Sequence, residues 1–248
     1  MDITLRIKRF DPSTDREPYY REYRLSVEPT DRVLDALMYV KDYMDGTLGF
    51  RKSCGHGVCG SDAMRIAGKE RLACKTLIRD VVSHEGEMIT IEPLRHLPVQ
   101  KDLMVEQDAF FKNYRAVKPF FISDTPAPEN AERLQSPAER VSFDDTTNCI
   151  LCAACFSACP KMDINPKFIG PAAIVNAARF VFDSRDTGLP DRLDVLDHPD
   201  GVWSCDNYFE CTKVCPRDIK VTKDINLTKR RITEYRKAEG GTVNDGKS

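Results

Sequence analysis

The chain has 248 residues, 41% of them hydrophobic and 31% charged, with a formal net charge of −2, a balance that fits one large or two modest folded domains and leaves no basic footprint for nucleic acid. The longest stretch without a charged residue, 146–160, is shorter than the ~20 apolar residues that span a bilayer, and it is filled with cysteines. The opening MDITLRIKRF carries neither an apolar export core nor a Ser/Arg-rich presequence, so the chain is expected to stay in a bacterial cytoplasm.

Ile3, Leu5 and Ile7 alternate with Thr4, Arg6 and Lys8, and Tyr23, Leu25 and Val27 repeat the period. One apolar face at period two predicts two half-buried strands, joined by the polar loop 11–18. Thr30 is the expected N-cap of a helix, with Asp31 favouring its positive end, and Val33, Leu34, Leu37, Met38 and Lys41 follow helical spacing. Short strands are expected at Ala63–Ile66, 71–75 and Met88–Glu92, with Gly68-Lys69 as a turn. The character changes near residue 100. Residues 101–117 read as helix, with Leu103, Val105, Phe110, Tyr114 and Val117 apolar. Pro126, Pro128 and Pro137 make 123–140 an extended connector. Gly170-Pro171 opens a helix over 172–182, because proline suits a first helical turn, and Thr222 is expected to cap a last helix running to Tyr235. The tail GGTVNDGKS reads as disordered. The fold class is α+β. Residues 1–100 form a strand-rich domain, 101–240 a helical domain around cysteine motifs, and 241–248 a tail.

All ten cysteines fall into three groups. The first is Cys54-x4-Cys59-x2-Asp62-x11-Cys74, the plant-type [2Fe–2S] spacing with an aspartate in its third slot. The second is Cys149-x2-Cys152-x2-Cys155-x3-Cys159-Pro160, and the third is Cys205-x5-Cys211-x3-Cys215-Pro216. Together these two make a bacterial two-cluster ferredoxin lacking one cysteine. Disulfides would need an oxidising compartment and an export signal. Structural zinc shares the C-x2-C spacing but uses two separated pairs, whereas Cys149 to Cys159 crowds four thiols into one short run.

In the first group, Cys54 and Cys59 are expected on one iron, with Asp62 and Cys74 on the other. Gly55, Gly57 and Gly60 allow the loop positive φ angles that bring backbone N–H groups towards sulfur. Asp62 has two readings: a carboxylate ligand in place of a thiolate, or a surface aspartate with water as fourth ligand. Histidine ligates Rieske centres, but here the set is already complete, so His56 is read as a loop residue. In a two-cluster ferredoxin the fourth cysteine of each run ligates the other cluster. That crossing assigns Cys149, Cys152, Cys155 and Cys215 to a [4Fe–4S] centre, and Cys159, Cys205 and Cys211 to the other. The fourth slot of the latter holds Tyr208, which leaves a corner iron without a thiolate and predicts [3Fe–4S]. Pro160 and Pro216 terminate the runs and remove an N–H donor.

On SCGHGVCGSD, CILCAACFSACP, NPKFIGPAA, DSRD, GVWSC and CTKVCP, over nearly its whole length, the chain resembles the iron–sulfur subunits of succinate dehydrogenase and fumarate reductase. The resemblance implies an N-terminal β-grasp, plant-type ferredoxin domain and a C-terminal, all-helical two-cluster ferredoxin-like domain. It implies a partner flavoprotein with FAD that oxidises succinate, and a membrane anchor holding quinone and often haem b. This subunit would wire the two together at the cytoplasmic face of the bacterial membrane, with no span of its own. Dicarboxylate chemistry would lie on the partner, so no catalytic residue is assigned here. Many ubiquinone-reducing members carry a tryptophan pair after the Cys159-Pro160 position; here Lys161-Met162-Asp163-Ile164 stands there, which points to menaquinone. Pro160, Ile164, Trp203 and Tyr208 are the candidates for the quinone vicinity, with core packing as the plainer reading of Trp203 and of Phe168. Lys161 is read as solvated. Reverse operation as a fumarate reductase, a soluble relay for another flavoprotein complex, and a zinc-binding interaction module are the alternatives.

Overall fold

A computed structural model describes residues 1–239; the GGTVNDGKS tail lies outside the described residues. The chain divides into two compact units. One comprises Met1–Asp108 with Ile150–Ala158, and the other Ala109–Cys149 with the chain from Cys159 onward.

The first unit is built on five strands: β1 (Asp2–Arg9), β2 (Tyr19–Ser26), β3 (Ala63–Ile66), β4 (Lys69–Leu72) and β5 (Met88–Glu92). They form one mixed sheet in the order β2-β1-β5-β3-β4. β1 runs antiparallel to β2 and parallel to β5, and β3 is antiparallel to both β4 and β5. The alternation read from β1 sets its inner face, where Ile3, Leu5 and Ile7 are buried. Helix α1 (Val33–Tyr39) buries Val33, Leu34, Ala36 and Leu37. Each such aliphatic side chain contributes ~1.5–3 kcal/mol on leaving water.

The fourth inward position of β1 is a charge. Arg9 is 4% exposed and pairs with Asp45 through Nη1 at 2.6 Å and with Asp102 through Nε at 2.9 Å. The Tyr23 hydroxyl also donates to Asp45 at 2.6 Å. Asp102 additionally accepts the Phe10 N–H at 3.0 Å and the Gly49 N–H at 2.7 Å. This anchor corrects the helix expected over 101–117. Asp102 takes φ 50° and turns a short hairpin, β6 (Val99–Lys101) and β7 (Met104–Val105), and only then does α2 (Asp108–Ala116) begin. Leu103 and Val105 belong to that hairpin's alternation, not to a helical stripe.

Other boundaries also move. The N-cap of α1 is Arg32, not Thr30, because the Asp35 carboxylate accepts the Arg32 N–H at 3.0 Å, while Asp31 accepts the Glu28 N–H at 2.8 Å. The β3–β4 turn is Ala67-Gly68, both at positive φ, a geometry that matches strand twist. It starts β4 at Lys69 and ends it at Leu72, short of the expected 71–75. The connector contains α3 (Pro137–Val141), opened by a reciprocal Ser136–Glu139 capping box that a proline-rich reading had hidden.

Only helices and turns occur among the described residues of the second unit. α6 (Pro171–Val181) is an almost wholly buried run of small and aliphatic residues, and α9 (Val221–Ala238) packs along it. Val221, Ile225, Thr228 and Ile232 give α9 its inner stripe. Lys220 is its N-cap; the expected cap, Thr222, lies inside the helix and its N–H is taken by the Thr212 hydroxyl at 3.0 Å. On α7 (Leu189–Leu196), Arg192 is fully buried, pairs with Asp186 at 2.8 Å, and donates to the carbonyls of Lys118 and Phe120. That guanidinium holds the start of a connector with little core pattern of its own.

Burial alone would raise the Asp45 carboxyl, but hydrogen bonds from Thr47, Tyr23 and Arg9 hold it well below the usual carboxylate range. Its contribution is therefore present above about pH 4 and is lost as the pH falls further. Arg9→Met leaves Asp45 and Asp102 without their buried cation and is expected to cost about 3–5 kcal/mol. Urea unfolding at neutral pH checks this; a change under about 1 kcal/mol would show that the pair is dispensable.

Candidate metal centres

The loop after α1 gathers the first set. The Cys54 Sγ accepts the N–H groups of His56 at 3.3 Å and Cys59 at 3.4 Å, and the Cys54 N–H points at the Cys59 Sγ at 3.5 Å. The Ser61 hydroxyl lies 3.2 Å from the Cys59 Sγ. Gly57 and Gly60, at φ 73° and 69°, let the loop fold its donors inward. Backbone N–H groups of His56 and Val58, then Cys59, lower the Cys54 thiol to about 6. His56 thus serves through its main chain, and its side chain is exposed.

Asp62 is 2% exposed and its Oδ2 accepts the Cys74 N–H at 2.5 Å, so it is not a surface aspartate. Burial, followed by the hydrogen bond and charge of Asp62, raises the Cys74 thiol to about 12. A carboxylate and a thiol side by side in a buried site form a donor pair suited to one iron.

The second and third motifs are two copies of one backbone template. After Cys149, Leu151 and Ala153 take φ 54° and 62°; after Cys205, Asn207 and Phe209 take 61° and 64° at the same offsets. A four-residue helix follows each: α4 (Ala154–Ser157) carries Cys155, and α8 (Glu210–Lys213) carries Cys211. Cys159-Pro160 and Cys215-Pro216 then close the copies. Left-handed residues interspersed in a short loop turn successive N–H groups to one side, a concavity that holds anions and iron–sulfur centres. In this alignment Tyr208 occupies the position of Cys152.

Cys159, Cys205 and Cys211 come together. They line a small cavity with Pro160, Phe168 and Tyr208. Burial, with the neighbouring Cys211 and Cys205 adding, raises the Cys159 thiol to about 11. Burial also raises Cys211, against the Thr222 hydroxyl 3.4 Å from its sulfur. In the same unit, burial raises Cys215 with Cys149 adding, and the Asn176 amide donates to the Cys149 Sγ at 3.4 Å. Cys152 and Cys155 lie in the segment that belongs to the first unit. Three thiols around a cavity, two of them buried, with N–H concavities and the Asn176 amide aimed at sulfur, fit polynuclear iron–sulfur groups. Among the described residues no three His, Cys, Asp or Glu side chains converge as closely as a single metal ion requires.

Of the residues expected near a quinone, Pro160 and Tyr208 line the cavity. Ile164 is 64% exposed on α5 (Lys161–Ile164). Trp203 donates to Asp197 at 2.7 Å and lies under the Arg236 guanidinium. Phe168 is fully buried. Lys161 is paired with Asp206 at 2.9 Å and so is not freely solvated. Asn176 and Thr222, which touch the sulfurs of the candidate ligands Cys149 and Cys211, were missed from sequence. The helical period of α6 could have placed Asn176 inward, among alanines where a polar side chain needs a partner.

Residues 4–112 match the family described as "2Fe-2S iron-sulfur cluster binding domain", and residues 145–219 the "4Fe-4S dicluster domain". A succinate dehydrogenase iron-sulfur subunit from Coxiella burnetii is 39% identical over 235 residues, 94% of this chain and 97% of the relative. A fumarate reductase iron-sulfur subunit from Mycobacterium tuberculosis is 40% identical, over 88% of this chain and 87% of the relative. The chain belongs to the family of succinate dehydrogenase and fumarate reductase iron–sulfur subunits. Its fold is that of a chain in the Mycobacterium smegmatis Sdh1 complex in the apo form, with a TM-score of 0.83 at 25% identity, covering 95% of this chain and 97% of that one.

In this iron–sulfur subunit the first loop abuts the second motif. A Cβ on Gly60 would lie 2.6 Å from the Cys152 Cβ and 3.0 Å from its Cα, at a φ of +69°. Gly60→Ala must push Cys152 aside and is expected to cost about 1–3 kcal/mol and to lower iron and acid-labile sulfide. Iron content indistinguishable from wild type would show that this contact is not needed.

Proposed function

We propose that this chain is the electron-transfer subunit of a membrane-associated succinate:quinone oxidoreductase. It takes electrons from an FAD-containing flavoprotein and delivers them towards menaquinone at a membrane anchor. Iron–sulfur clusters supply one-electron redox chemistry at three stations. Cys54, Cys59, Asp62 and Cys74 would hold [2Fe–2S]; Cys149, Cys152, Cys155 and Cys215 would hold [4Fe–4S]; Cys159, Cys205 and Cys211 would hold [3Fe–4S].

The observation that carries this reading is the duplicated loop with Tyr208 standing at the Cys152 position. One copy offers a thiolate there and the other does not, which supports a centre with one iron fewer. With fewer thiolates and less negative charge, its potential is expected to be the higher, as suits the accepting end of a relay. The residues around the stations keep the charge changes small in structural terms. His56 and Cys59 donate N–H groups to the first site and Asn176 to the second, and the Thr222 hydroxyl lies 3.4 Å from the Cys211 sulfur of the third.

The sheet order β2-β1-β5-β3-β4 with α1 supports the β-grasp reading of the N-terminal domain. Two exposed surfaces support docking at both ends of the relay. Tyr39 and Tyr43 stand with Cys54 and Gly55 around a groove beside the first site, where a flavoprotein would approach. Ile164, Tyr208 and Phe209 are exposed near the third, where an anchor would. No helix among the described residues is long and apolar enough to cross a membrane; the proposed anchor is a partner subunit at the cytoplasmic face of the membrane. Operation in the direction of fumarate reduction uses the same residues.

Oxidised wild-type complex is expected to show the EPR signal of a [3Fe–4S] centre, and Tyr208→Cys to convert it towards [4Fe–4S]; a wild type without that signal sinks the assignment. At the first site Cys59→Ala is expected to lose the [2Fe–2S] signal while Asp62→Cys keeps it. The flavoprotein should co-purify and reduce dyes with succinate, whereas the isolated chain should not oxidise succinate at all.

A further inference from the structure

Asp224 lies in the first turn of α9 and is 3% exposed, yet its Oδ2 has no hydrogen-bond partner. An ionised carboxylate left unpaired at such depth is costly, so the group must hold a proton or find a compensating charge. The charged groups bearing on it do not neutralise it. Asp145 in the 3-10 turn Asp145–Asn148 opposes its ionisation, and Lys223 on its own helix favours it only in part. α6, packed along α9, shows this region a buried face of alanine, isoleucine and valine with Asn176 as its polar member. On α8, Glu210 and Lys213 are paired with each other at 2.6 Å. Burial first, then Asp145, pushes the Asp224 carboxyl up to about 7, so protonated and ionised forms are close in free energy near neutral pH.

Its position relative to the electron path gives this a use. The turn bearing Asp145 leads into Cys149, whose N–H bonds the Thr146 carbonyl at 3.2 Å. On α9, Thr222 touches the Cys211 sulfur. Asp224 is therefore on the helix whose Thr222 borders one proposed centre, and it feels the charge of Asp145, in the turn that leads into the other, in buried surroundings that screen charge poorly.

We propose that Asp224 takes up a proton from water when an electron arrives at the centre seated by Cys149, and returns it when that electron moves on. This rests on the relay reading above. One electron in is matched by one proton in, only the carboxyl O–H bond forms and breaks, and the region's net charge is unchanged by the transfer. Asp224 acts here as a charge-compensating residue; it is neither a ligand nor a group that touches quinone.

The test is an EPR-monitored redox titration of the purified complex at roughly pH 6 and roughly pH 8. In wild type the midpoint potential of the Cys149-bound centre is expected to fall as the pH rises, while in Asp224→Asn it stays flat and the other two centres behave alike in both proteins. A flat wild type, or equal slopes in the two proteins, overturns the proposal and leaves the relay intact. Absence of cluster signals in wild type overturns both. A second readout does not depend on redox state. Against an unfolded carboxyl of about 4, the raised carboxyl destabilises the folded wild type progressively as the pH rises from about 4 to about 7, so Asp224→Asn should raise the thermal midpoint clearly at about pH 8 and hardly at about pH 4. The same increment at both pH values would show that the residue only packs.

Discussion

Charge that must sit in an apolar interior needs dipoles aimed at it, and the main chain can supply them only by bending back on itself. Every candidate centre depends on this constraint. In the first loop the bend is made by glycines, which adopt positive φ freely. In the duplicated loops it is made by Leu151, Ala153, Asn207 and Phe209, and the three without a short polar side chain are strained by about 1–2 kcal/mol each. Side chains are kept at these positions because they also pack. Ala153 is 1% exposed, and Phe209 forms part of the wall of the cavity that collects Cys159, Cys205 and Cys211. Glycine would relieve the backbone and open the wall.

The same economy governs the buried ions. Buried ion pairs add little net stability over apolar packing, but breaking one is expensive, so they fix a single arrangement. Arg9 ties the sheet to the Asp102 turn, and Arg192 ties α7 to the carbonyls of Lys118 and Phe120. Both bind segments with too few core residues to hold their own place. Such segments connect one cysteine motif to the next, so the guanidinium groups indirectly set where thiols stand.

The strands β1, β3 and β5 and the helix α6 were legible because alternation and a Gly-Pro start are local signals. The cysteine spacings stand out because ligand spacing is written along the chain, and the structure brings Cys159, Cys205 and Cys211 together. What escaped shares one cause: its determinants lie far apart in sequence. The 99–105 hairpin reads as part of a helix until Arg9 is seen to claim Asp102. Thr30 looks like a cap until Asp35 is seen to accept the Arg32 N–H. Thr222 looks like a cap until Thr212 is seen to take its N–H and Cys211 is found beside its hydroxyl. Asp224 has no sequence signature, because its character comes from burial and from the charge of Asp145 in another part of the chain.

The thiols themselves show what kind of state this architecture is made for. Cys74, Cys159, Cys211 and Cys215 are all pushed up, with burial the largest cause in each. Without metal these positions favour neutral thiols, whereas iron requires thiolates. Loading must therefore release protons and replace a desolvation penalty with metal–sulfur bonds, which couples metal binding to folding. Cys54 is the exception. N–H groups already surround its sulfur in an open loop and bring it to about 6. A protein with thiols placed merely for packing would have no reason to aim main-chain donors at the Cys54 sulfur and to gather Cys159, Cys205 and Cys211 around one cavity.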